Sequence, residues 1–221
     1  APGNPAPAQD PFPAQLKSQL ASDANAFASA APQYLDRWDA FLKQIESFRQ
    51  QPTKLTADKS ELTATATNLK RDLAGLKRNL DAWINKLRSA GKFNEALNAY
   101  LLSVLRRKSS ESAETIAREG GALALLTETS AQLGRQPAEI DRLVNALADG
   151  SVRSAQAGSL LLKHETMAEA TPARFNAVAH RSSAPAFRLS FKCFVLGARL
   201  LIKTFQGTDT QQDVDDFNRQ C

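Results

Sequence analysis

The sequence predicts an all-α protein, an elongated bundle of antiparallel helices with one long heptad-patterned helix and a C-terminal helical hairpin. Three observations carry this expectation. The 221 residues include 37 Ala and 28 Leu against 6 Val and 5 Ile, and Ala and Leu favour helices where β-branched residues favour strands. Apolar residues recur at steps of 3 and 4, and alternation of period 2 is absent. One stretch, Leu62 to Leu87, sustains the 3-and-4 pattern over eight apolar positions. With 43% hydrophobic residues the chain has enough apolar surface for a core, which excludes a disordered polymer or a mini-protein held only by disulfides.

The elements follow in order. Residues 1–13 form a Pro-rich arm, with Pro at 2, 5, 7, 11 and 13, expected to be disordered; residues 14–221 are expected to be a single helical bundle domain. A first helix is expected from Ala14 to Ala30, stopped by Pro32, because the residue before a proline is pushed away from the helical region. A second carries Tyr34, Leu35, Trp38, Phe41, Leu42, Ile45 and Phe48 at helical spacing, with Asp36, Arg37, Asp39, Lys43 and Glu46 turned away, and Pro52 ends it. The third starts at Asp58, whose partner Glu61 makes a capping-box-like pair. It continues through Leu62, Ala66, Leu69, Leu73, Leu76, Leu80, Trp83 and Leu87 to a stop at Ala90 and Gly91. Such a seam serves either a bundle interior or a coiled-coil dimer, so monomer and homodimer are both expected states, the intramolecular seam being the default among so many amphipathic segments.

A fourth helix, Phe93 to Lys108, ends in Arg106, Arg107 and Lys108, as the negative end of a helix dipole favours. A fifth is expected from Ser109 or Ser110 to Leu133, with a stop at Gly134; inside it, Gly120 and Gly121 serve either close helix packing or a hinge, close packing being the default. Pro137 opens a short sixth helix closed by Gly150, a less regular one covers Val152 to Ala170, and Thr171 with Pro172 and Ser183 with Pro185 have the form of further starts. The last long helix runs from about Ala184 to Phe205, and a short one follows Gly207.

The hairpin is expected from counting about Gly207: Cys193 lies 14 residues before it and Cys221 14 after it, so a fold-back there brings the two sulfurs to one level as a disulfide, the alternative being a buried apolar Cys193 and a free Cys221 thiol. The same count puts Asp215 across from Arg199. Two cysteines without CxxC or zinc-type spacing suit one bridge in an oxidising compartment. Together with the small first residue and the Pro-rich start, which resemble the end left by signal-peptide removal, they predict an exported protein, periplasmic or secreted.

Chemistry is sparsely signalled. The two histidines, His164 and His180, fit neither HxxxH nor HExxH, and only Glu165 and Glu169 stand near His164 as further ligands for a metal. The ten glycines form no phosphate cradle, and no nucleophile–base set or carboxylate pair is singled out, so no enzyme activity, metal or cofactor is expected. Charge is more informative. The overall +5 is concentrated between Lys70 and Lys108, where ten cations stand against three acids. Lys70, Arg71, Lys77 and Arg78 repeat at seven residues and form a stripe beside the Leu seam, either a solvated face, which is the default, or a candidate basic interaction face. Arg188, Lys192, Arg199 and Lys203 form a second basic face on the last long helix, of a kind that lies on membranes or wets one side of a core helix. No aromatic interleaves the first set to stack on a base, so nucleic acid is not the expected partner.

The leading expectation is a non-enzymatic interaction protein with a protein partner: an adaptor, inhibitor or immunity-type binding protein of a bacterial envelope. A secreted membrane-active effector or helical toxin, and a helical sensor domain for a small molecule or metal, are the alternatives.

Overall fold

The Leu62–Leu87 seam forms as the spacing requires, since all eight of its side chains are buried, Leu73, Leu80, Trp83 and Leu87 completely. The computed structural model describes residues 10, 12–50, 52–148, 189–208 and 210–221. They form seven helices: α1 (Ala14–Gln50), α2 (Pro52–Ser89), α3 (Glu95–Lys108), α4 (Ser110–Arg118), α5 (Ala122–Ala148), α6 (Phe191–Gln206) and α7 (Gln211–Gln220). No strand occurs among the described residues. At 1.5 Å per residue the 38-residue α2 is a rod of about 57 Å.

Four helices make the frame. α1 packs on α2 and α6, and α5 packs on the same two, so α1 and α5 stand at one diagonal. Every neighbouring pair is antiparallel, as the paired side chains show: Asp23 with Lys86 and Arg37 with Asp72 between α1 and α2, Ser130 with Lys77 and Asp141 with Lys70 between α5 and α2. Asp39 with Lys192 fixes α1 against α6, and Thr129 with the Phe194 carbonyl fixes α5 against α6. The heptad seam is thus satisfied inside one chain, by α1 on one side and α5 on the other. Trp83 meets Phe205 edge-on at 5.5 Å between centroids, and Trp38 meets Phe191 at 5.8 Å. Smaller helices α3, α4 and α7 pack against this frame and one another.

Helix ends follow local chemistry where the chain turns. α2 closes in a Schellman arrangement with Gly91 left-handed at φ 68°: the Lys92 amide donates to the Leu87 carbonyl and the Gly91 amide to that of Arg88. Asn94, Ser109 and Ser190 cap α3, α4 and α6 with side-chain oxygens. The start of α5 takes its cap from another helix, because Asn98 Oδ1 of α3 accepts from the Ala122 amide at 2.7 Å.

Several boundaries differ from expectation. Pro32 does not end a helix; α1 runs through it. A proline at 32 cannot donate to the carbonyl at 28, and Arg199 of α6 supplies the missing donor, its Nε lying 2.7 Å from the Ala28 oxygen. α2 begins at Pro52, not Asp58, since a proline is well suited to the first helical position, where its missing N–H is no loss. α3 starts two residues after Phe93, once Asn94 provides a cap.

The expected fifth helix is broken into α4 and α5. Gly120 and Gly121 adopt φ of 98° and 103°, which ends α4, and a Cβ on Gly121 would lie 2.7 Å from Asn98 Oδ1, so only glycine admits the Asn98 cap. Conversely, α5 passes through both the expected stop at Gly134 and the expected start at Pro137. The cost of an interior proline, about 3 kcal/mol, is met by burying Ile140 and Leu143 beyond it, each contributing about 1.5–3 kcal/mol.

α6 starts at Phe191, after the extended Ser190, rather than at Ala184. The arm is ordered at its end: Phe12 is buried, with its ring 5.7 Å from that of Tyr100 and 5.5 Å from that of Phe205. The expected helix over Val152 to Ala170, the starts at Thr171 and Ser183, the closure at Gly150 and both histidines lie outside the described residues.

Candidate functional site

The four cations expected to share one face of α2 divide into two pairs. Lys70 and Lys77 lean towards α5: Lys70 Nζ is 2.7 Å from Asp141 Oδ1, and Lys77 Nζ is 2.7 Å from Asp81 Oδ2 and 3.2 Å from Ser130 Oγ. Ser130 in turn donates to Asp81, which closes a small network between the helices. Arg71 and Arg78 are one position on, about 100° further round the helix, and both are exposed. Arg71 donates to a neighbour on its own helix, with its Nη2 3.1 Å from Asn68 Oδ1.

Beside Arg71 the α1–α2 boundary opens into a shallow cleft of about 410 Å³, lined by Arg37, Ala40, Thr65, Asn68, Leu69, Arg71 and Asp72. Arg37 crosses the boundary to pair with Asp72. The pair is more than half exposed at the Arg37 end, so solvent screens it, and it contributes under about 1 kcal/mol to the fold. The cleft therefore presents two guanidinium groups, one carboxylate, a hydroxyl and an amide around a small apolar floor. Such a surface can receive carboxylate or phosphate oxygens in bidentate fashion. Arg37 was legible only as a polar residue turned away from the aromatic stripe; its place beside Arg71 depends on how α1 and α2 align.

The second basic face is internal glue in the folded chain. Lys192 Nζ lies 3.0 Å from Asp39 Oδ2, and Lys203 Nζ lies 3.0 Å from Asp213 Oδ2. Arg199 pairs with the other oxygen of Asp213 while its Nε holds the Ala28 carbonyl. Burial pushes the Arg199 guanidinium below its ordinary pKa, an effect opposed by Asp216. Arg188, the fourth member, lies outside the described residues.

The hairpin turns at Gly207, left-handed at φ 71°, and Cys193 and Cys221 are joined with Cα atoms 5.6 Å apart, as the count about Gly207 requires. The count fails for charge. Asp213, not Asp215, meets Arg199, because α7 begins only at Gln211 and its helical period turns Asp213, Val214 and Phe217 inward while Asp215 is exposed and accepts from Gln211. Level along a hairpin fixes which residues are neighbours in height; the 3.6-residue period fixes which of them face the partner.

Among the described residues no group of three or more His, Cys, Asp or Glu is placed to hold a metal ion, and no helix is long and apolar enough to cross a membrane. The one strongly perturbed tyrosine, Tyr34, is raised above its ordinary pKa by burial, with Asp72 adding to the effect. It remains a phenol. No protein family, curated protein or solved structure matches the chain.

Proposed function

We propose that the protein is an exported, non-enzymatic interaction module whose Arg71 and Arg78, with Arg37 at the adjoining cleft, receive the carboxylates of an acidic protein partner. The observation that carries this reading is the division of the basic face. Lys70 and Lys77 are engaged with α5, whereas Arg71 and Arg78 stand exposed seven residues apart on one side of α2. Guanidinium groups are the cations best suited to bidentate carboxylate contacts. Export is supported by the intramolecular disulfide, which suits an oxidising compartment, and an adaptor, inhibitor or immunity-type protein of a bacterial envelope is the setting that accords with it. The membrane-active alternative draws less support, since Lys192, Arg199 and Lys203 are held by Asp39 and Asp213.

The test is to capture the partner by cross-linking in the cells that make the protein, then to measure its affinity for the full chain and for the R71E/R78E variant. The reading expects at least a tenfold loss in the variant, and wild-type binding that weakens as salt rises. Equal affinities would overturn it, and leakage of anionic vesicles by the full chain would favour the membrane-active alternative.

A further inference from the structure

We infer that the Cys193–Cys221 disulfide acts as a redox latch on the middle of α1, through α7 and Arg199. The contacts form one continuous line. Pro32 leaves the Ala28 carbonyl without its helical donor, and Arg199 Nε of α6 takes that place at 2.7 Å. The same guanidinium is held from its other side by Asp213 of α7, whose side chain is only 2% exposed. Asp213, paired also with Lys203 of α6, is held in turn by the position of α7, and the disulfide ties the far end of α7 to the first turn of α6.

α7 depends on its tethers. It has 10 residues and no side-chain cap at Thr210, so it is too short to persist as an isolated helix. Its inward face is Asp213, Val214 and Phe217. Phe217 enters a recess that exists because residue 197 is glycine: a Cβ there would come within 3.1 Å of both the Phe217 ring and Leu125. Asn218 and Thr210 add hydrogen bonds to Ser112, Ser109 and Lys108. The disulfide is the covalent member of this set. When it opens, α7 is held only by contacts that fray together, and Asp213 leaves the guanidinium it orients. Arg199 is then drawn towards water, and the Ala28 carbonyl loses the donor that compensates for Pro32. The C-terminal hairpin and the proline site of α1 are thereby coupled, although 171 residues separate Ala28 from Arg199 in sequence.

The chemistry of opening is thiol–disulfide exchange with a thiol reductant. A thiolate attacks the sulfur of Cys221, the exposed member, forming a mixed disulfide and releasing Cys193 as a thiolate that takes up a proton. A second thiol attacks the mixed disulfide, so that two reductant thiols become one disulfide and both cysteines end as thiols.

Hydrogen–deuterium exchange on the full chain tests the coupling, with the oxidised protein, the protein reduced by dithiothreitol, and the C221S variant compared. The latch expects at least tenfold faster exchange in both α7 and residues 29–36 of α1, with residues 66–80 of α2 unchanged. Faster exchange in α7 alone, or in neither segment, would overturn it. If reduction loosens the α2 residues as well, the D213N variant with its disulfide intact decides. Residues 29–36 are expected to exchange faster there, since the neutral amide no longer fixes Arg199, and unchanged protection would refute the coupling.

Discussion

The α2 seam and the Pro32–Arg199–Asp213 knot stabilise the same bundle in opposite ways. The seam spreads its contribution over eight apolar side chains, six of them Leu, each buried by the same repeating geometry. The knot concentrates its contribution in one guanidinium that serves a carbonyl of α1 and a carboxylate of α7 at once. Apolar burial is non-directional and adds up by area, whereas a buried polar group is stable only if each partner is present. Losses should therefore be graded and additive along the seam, and steep and coupled at the knot.

The largest expected effect is at the knot. Arg199→Ala leaves Asp213 buried beside Lys203 alone and the Ala28 carbonyl bare, and should lower the unfolding free energy in denaturant by about 4 kcal/mol, within the range for breaking a buried pair. A loss below about 1 kcal/mol would reduce the knot to a surface contact. Next comes the disulfide. Removing it with C193A/C221A frees a loop of about 29 residues and, on the chain-entropy estimate, costs about 3.5 kcal/mol. Thiol titration of denatured, unreduced protein should meanwhile find no free thiol in the wild type.

For the seam, Leu73→Ala should cost about 3 kcal/mol, and combining it with Leu80→Ala should give nearly the sum of the two single losses, because the positions are two turns apart. Marked non-additivity there would erase the contrast between the regions. Alkaline titration probes the interior beside both. Burial raises the pKa of Tyr34 in the folded state, so above pH 10 the unfolded chain releases a proton that the folded chain retains. Stability is therefore fully present below pH 10 and should fall by about 1.4 kcal/mol per pH unit above it. The smallest effect sharpens the comparison most. Pro32→Ala returns a helical donor to the Ala28 carbonyl, so Arg199→Ala should cost about 1 kcal/mol less in that background, a coupling that a double-mutant cycle would measure.

What the sequence determined by itself is the periodic and the local part. The 3-and-4 spacing from Leu62 to Leu87 dictates a buried stripe whatever covers it, the Gly91 and Gly207 stops follow from the ease with which glycine becomes left-handed, and the pairing of Cys193 with Cys221 follows from equal distances about one turn. Tertiary structure decided the positions where a local preference met a remote partner. Pro32 breaks a helix on its own account, yet α1 continues because Arg199 repairs the missing hydrogen bond from another helix. Gly120 and Gly121 separate two helices because Asn98 of α3 caps the second at that point. The basic face divides because α5 brings Asp141 and Ser130 to two of its four members and leaves the other two exposed. Local propensities are worth about 1 kcal/mol per glycine and about 3 per proline, so a few buried side chains or one buried charged hydrogen bond from elsewhere in the chain is enough to reverse them.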